Sequence, residues 1–158
     1  MKTVEGYNME GEKVIMKVSN LYFRPSVYAV VIKDDKVFMI KFGDLGYYLI
    51  GGGIELGEDH IDALRREFLE ETGFEIEVKD LIEVNTRFFE MPFNLGSSHA
   101  IKFFYVCELV GNAKEQNFEE KEIQLNAKLE WIPLSEIDNL KITSADDNIK
   151  SIIKKALK

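Results

Sequence analysis

The 158-residue chain has one cysteine and two histidines. The single cysteine, Cys107, excludes an internal disulfide. It lies in an apolar, strand-like run and reads as a small packing residue. His60 and His99 have no partner spacing for a zinc site or a nucleophilic triad, and both read as structural or exposed. No apolar run approaches the roughly 20 residues of a membrane span. The opening residues, MKTVEGYNMEGEK, lack the apolar stretch of a secretion signal. Together these absences lead us to expect a cytoplasmic protein with no membrane partner. Positive charge is also scarce, with 20 Lys and Arg against 28 Asp and Glu for a net charge of −8. That balance argues against a grip on polymeric nucleic acid, which normally needs a basic surface. A small phosphate compound held by metal ions and a few local cations remains compatible with it.

Apolar residues make up 46% and aromatics 11% of the chain, enough for the core of one domain spanning residues 1–158. We find no internal repeat, low-complexity segment or linker. Residues 2–18 contain two strand-like pieces around 8–11, a hairpin or extended arm over residues 1–24. Its edge could pair with a second copy to give a homodimer. An apolar run at 27–33, a tight turn at 33–36 and a strand at 37–42 form a hairpin. A short strand at 47–50 then leads into a glycine cluster. Residues 75–85 and 86–90 look extended, and 91–98 read as a loop. Residues 101–110 have apolar side chains on both faces, as a central strand does. An acidic loop spans 111–124. Residues 129–132 are strand-like, Ser135 can cap a short helical turn, and Ser144 or Asp146 can open a last helix. In that helix Ile149, Ile152, Ile153, Ala156 and Leu157 recur at i, i+3, i+4, i+7 and i+8. Strands on either side of a helix, with a second helix at the end, predict a mixed sheet covered by helices on both faces.

The stretch that organises the chain is residues 52–74, GGIELGEDHIDALRREFLEETGF. A glycine-rich turn enters a helix over about 60–72, with Asp59 as N-cap, Asp62 in the capping-box position and Gly73 as the stop. Ile61, Leu64, Phe68 and Thr72 form the core-facing stripe. Glu67, Glu70 and Glu71 stand at i, i+3 and i+4, so their carboxylates project one way. Like charges so spaced destabilise a helix, and an ordinary acidic face would simply be solvated. Here Glu58 and the backbone carbonyls of the glycine turn stand beside them. An all-oxygen donor set suits a hard divalent cation such as Mg²⁺ or Mn²⁺. The small Ala63 would let the turn lie close to the helix.

This stretch resembles the signature box of the Nudix (MutT-like) hydrolases. Gly52, Glu58, Arg66, Glu67, Glu70, Glu71 and Gly73 fill its fixed positions, while Phe68 and Phe74 occupy its aliphatic ones. The resemblance implies an α/β/α sandwich and a pyrophosphatase-type reaction. In that reaction water attacks a phosphorus of a nucleoside diphosphate linked to another group, X. The products are a nucleoside monophosphate and phosphorylated X, or pyrophosphate when the substrate is a nucleoside triphosphate. By resemblance Glu67, Glu70 and Glu71 are metal ligands, supported by Glu58 and the Gly52 carbonyl, and Arg66 orients the carboxylates. The base is Glu67 or a later-loop glutamate among Glu119, Glu120 and Glu122, with Glu120 taken as representative. Arg24 and Lys41 are candidates for a phosphate, and Tyr48 and Phe89, with Tyr47 and Phe88, for stacking on a base. Ile50 stands where many members carry proline. Pro92 lies beyond the place of the proline that marks ADP-ribose hydrolases, so no subfamily is indicated. A non-catalytic nucleotide or ADP-ribose sensor is the alternative, and such modules usually lose box glutamates.

Overall fold

In a computed structural model, residues 1–91, 95–115, 118–143 and 148–158 are described, apart from the Lys121 side chain. Strands β1 (Thr3–Tyr7) and β2 (Lys13–Lys17) form the N-terminal hairpin. β3 (Leu21–Lys33) and β4 (Lys36–Phe42) are joined by Asp34 and Asp35, whose φ angles of 50° and 56° are those of a tight hairpin turn. Then come β5 (Tyr47–Tyr48), β6 (Ile50–Gly53) and helix α1 (His60–Thr72). β7 (Glu75–Glu90) is one continuous strand where the sequence suggested two pieces; its irregularities lie at Val78/Leu81 and Leu81/Glu83. β8 (Ser97–Val110), the short helix α2 (Glu120–Gln124), β9 (Ala127–Pro133) and helix α3 (Ile149–Ala156) complete the order. The expected helix start at Ser144 or Asp146 lies outside the described residues, and Asn148 stands at the N-cap position of α3.

The strand order is β2-β1-β7-β8-β3-β4-β5, with β6 also on β3 and β9 on β4. The sheet is mixed: β3 runs parallel to β8 and β1 parallel to β7, while the other pairings are antiparallel. Strand period decides which helix covers which face. On β8, Phe103 and Tyr105 meet α1, where the His60 ring lies 5.6 Å from Phe103 and its Nε2 is 2.8 Å from the Tyr105 hydroxyl. Lys102 and Phe104 point the other way and pair with Asn85 and Glu83. Glu83 holds α3 through Asn148 Nδ2, which donates to it at 2.7 Å, and through the Lys155–Glu83 ion pair, and Asn85 Nδ2 donates to Asn148 at 3.5 Å. The helices therefore lie on opposite faces, as the expected α/β/α sandwich requires. Ile149, Ile152 and Ile153 of α3 are fully buried, whereas Leu157 is exposed.

The arm is bound within its own chain: β1 pairs with β2 and, at Tyr7, with Phe89 of β7. β2 lies at the end of the sheet. Among the described residues no helix is long and apolar enough to cross a membrane.

Candidate active site

Helix α1 begins at Asp59, whose carboxylate accepts from the Ile61 N–H at 2.8 Å, and ends at Gly73 with φ 76°. The expected capping box is not completed, because Asp62 turns outward to Arg65 at 3.5 Å. The apolar stripe buries Leu64, Phe68 and Thr72. Ala63 is fully buried, and the glycine turn lies against the carboxylate side of the helix. The approach is so close that a Cβ on Gly52 would stand 2.5 Å from the Glu67 carboxyl. Any side chain there would displace the carboxylate.

Arg66 ties the box together. Its Nε and Nη2 donate to the two oxygens of Glu58 at 2.7 and 3.0 Å, a bidentate pair. Its Nη1 donates to Glu67 at 3.0 Å and to Glu70 at 3.4 Å, and its Nη2 also reaches the Gly53 carbonyl at 3.2 Å. These bonds hold the guanidinium charged and keep the Glu58 carboxyl below its ordinary pKa. Glu67 moves the other way: burial raises its pKa, Arg66 opposes this, and the nearby Glu119 and Glu70 add to the rise. Glu71 is buried and accepts from the Gly51 N–H at 3.3 Å.

Tertiary folding adds Glu119 to this cluster. One carboxylate oxygen from each of Glu67, Glu70 and Glu119 lies within 4.8 Å of the others. Three carboxylate oxygens so close repel in the absence of a cation. Their chemistry fits a hard divalent ion, whose charge would reverse that repulsion.

The cluster borders a cavity of about 380 Å³. Arg24, Tyr48, Phe89, Gly52, Glu67 and Glu71 line it, as do Glu119 and Glu122. Arg24 and Lys102 flank Tyr28, and their charges lower its pKa although burial pushes it up. Lys41, a candidate for a phosphate, is not in the lining. Ile40 and Phe42 of β4 face the cavity, so strand alternation turns Lys41 away. Its Nζ lies 5.3 Å from the centre of the Tyr47 ring, beside a separate surface depression. Glu120 is likewise outside the lining and accepts from Gln124 at 3.1 Å on the surface. Glu119 and Glu122 are three residues apart and share the cavity side. Tyr47 donates to Glu130 at 2.7 Å, and Phe88 packs on His99 with ring centres 4.7 Å apart and planes tilted by 37°.

Sequence reading passed over Lys102. It is 2% exposed at the cavity wall and donates to the Tyr48 hydroxyl at 2.8 Å. The Tyr28, Tyr48 and Phe89 ring centres lie 5.7, 5.0 and 5.1 Å from its Nζ. The available signal was a lysine inside a strand apolar on both faces.

A family model described as the NUDIX domain matches residues 22–154. An ADP-ribose pyrophosphatase of Methanocaldococcus jannaschii is 29% identical over 115 residues, covering 69% of this chain and 66% of the relative, just under two thirds of its length. A Bacillus subtilis protein named Uncharacterized Nudix hydrolase YvcI is 29% identical over 135 residues, 85% of this chain and 81% of its own. Among solved structures, a NUDIX hydrolase from Nitrosomonas europaea superposes with a TM-score of 0.66 at 20% identity, covering 85% of this chain and 88% of that one.

Proposed function

The chain belongs to the NUDIX family, a family of hydrolases, and on that premise we propose that it is a divalent-metal-dependent nucleoside-diphosphate-X hydrolase. The single observation that carries the reading is the convergence of Glu67, Glu70 and Glu119 on one point beside a cavity. In our assignment Glu67 and Glu70, with Glu71 next to them on α1, would hold Mg²⁺ or Mn²⁺, and Glu58 and the Gly52 carbonyl would support them. When bound, the cation supplies neutralisation of the negative charge that shields a phosphoanhydride from water. The chain's own residues do the rest. Arg66 holds the Glu58 and Glu67 carboxylates in place through its fork of donors. Arg24, on the cavity wall, takes a phosphate oxygen. Glu119 receives the proton of the attacking water, in place of the Glu120 suggested by the sequence, because Glu119 reaches the cluster and Glu120 does not.

ADP-ribose is the first substrate to test, since one relative carries that name. The panel should also hold nucleoside triphosphates, nucleotide sugars and dinucleoside polyphosphates, each with Mg²⁺ or Mn²⁺ and product identification. We expect a nucleoside monophosphate among the products, and loss of turnover on chelation or in Glu70→Gln. Undiminished turnover in Glu70→Gln would overturn the metal assignment. Tight binding with no product would favour the sensor reading.

A further inference from the structure

The β1–β2 hairpin lies outside the residues 22–154 that match the family model, yet its tip reaches the active-site cavity. Met9 lines that cavity together with Tyr22, Phe89 and Met91. The register explains how. Tyr7 pairs with Phe89, Phe89 with Ser98, and Ser98 with Tyr22. One row of the sheet thus runs from the hairpin to β3 on the cavity face, and the tip follows directly after Tyr7.

The hairpin is held closely. A Cβ on Gly6 would stand 2.3 Å from the Phe88 carbonyl oxygen and 2.8 Å from the Met16 methyl, so only glycine lets β1 seat there. The tip is ordered by Asn8, whose side-chain oxygen accepts from the Glu10 and Glu12 N–H groups at 3.1 and 2.8 Å. Its carbonyl accepts from Gly11 at 3.2 Å. Met91, just past β7, is tied to the chain by its N–H, which donates to the Gly96 carbonyl at 2.8 Å.

Met9 and Met91 are half-buried and Tyr22 is 39% exposed. Two thioethers and a phenol ring therefore offer apolar, polarisable surface to a common cavity. Thioether sulfur makes favourable contacts with aromatic rings. Every nucleobase offers a π-face to such a surface. The carboxylate cluster, by contrast, suits the cation and diphosphate part of a substrate. We infer that the hairpin tip is a wall of the substrate site, and that Met9, Met91 and Tyr22 form the subsite for a planar nucleobase. This inference rests on the reading of the cavity as a nucleotide site, and it makes the N-terminal hairpin a specificity element within the chain.

The test is NMR of the full chain carrying ¹³C-methyl methionine, without metal, titrated with AMP and separately with ribose 5-phosphate. The chain has five methionines, and the buried Met16 and Met39 report that the fold is intact. The Met9 and Met91 methyl signals shift saturably with AMP and stay in place with ribose 5-phosphate. In Met9→Ala the AMP affinity, read from Met91, falls about tenfold, the size of one lost stacking contact. Unmoved Met9 and Met91 signals at millimolar AMP, equal shifts with ribose 5-phosphate, or unchanged affinity in Met9→Ala would each overturn the subsite. Because no turnover is read, such a result leaves the hydrolase reading standing. Absence of turnover in the unmodified chain strikes that reading and not the subsite.

Discussion

Gly52 and Glu67 are packed so closely that a Cβ on the glycine would stand 2.5 Å from the carboxyl carbon. The backbone of the turn is a wall of the carboxylate cluster, and the cluster's geometry depends on that wall being bare. Gly52→Ala is therefore expected to push Glu67 out of position. Misplacing a catalytic group by about 1 Å lowers kcat on the order of 100-fold, while overpacking at one site lowers stability by only about 1–3 kcal/mol. Steady-state kinetics beside a thermal melt checks this. Full activity in a folded Gly52→Ala would show that Glu67 needs no fixed place.

The neighbouring glutamates of the late loop separate by position. Glu119 joins Glu67 and Glu70, whereas Glu120 bonds Gln124 on the surface. Glu119→Gln should lower kcat by about 10²–10⁴-fold, the range of a lost general base. Glu120→Gln should leave kcat within about twofold, as for a solvated surface group. The reverse order would return the role to Glu120.

Arg66 bonds three carboxylates and a carbonyl along different directions. A lysine would keep the charge but lose the planar fork. Arg66→Lys is expected to reduce kcat by at least about tenfold and to raise the metal concentration needed for half-maximal rate, since both Glu58 and Glu67 lose their alignment. A metal titration of the variant shows it, and an unshifted titration curve would count against the orienting role.

Burial pushes the Cys107 thiol up to about 12, against opposing effects of a backbone hydrogen bond and Arg65. An unfolded thiol titrates near 8.5, so the folded chain keeps its proton longer. That contribution is fully present below about pH 8.5 and is lost as the pH rises towards 12, by at most about 1.4 kcal/mol per unit. Native protein at pH 8 should react with a thiol reagent far more slowly than denatured protein. Denaturant midpoints should fall more steeply between pH 9 and about 10.5 than those of Cys107→Ala. Fast labelling of the native chain would contradict the burial.

Much of this was legible along the chain because the box is local. Glu67, Glu70 and Glu71 lie within two turns of one helix, and helical period alone puts them on one side. Asp59 and Gly73 mark the ends of α1 by their chemistry. The hairpins were readable from alternation and turn residues, as at Asp34 and Asp35. Continuity of β7 was not: the sequence suggested a break between residues 85 and 86, where pairing with β8 runs uninterrupted from Glu83 to Glu90.

The sequence by itself determined the helix, its carboxylate face and the family, all properties of short spacing. Only the tertiary structure decided which distant residues complete the site. It brought Glu119 rather than Glu120 beside Glu67 and Glu70, and turned Lys41 away because Ile40 and Phe42 face inward. It also set Lys102 beside Tyr48 and brought Met9 to the cavity through the pairing of Tyr7 with Phe89. Those choices depend on strand register between segments far apart in the chain, which no local pattern of side chains specifies.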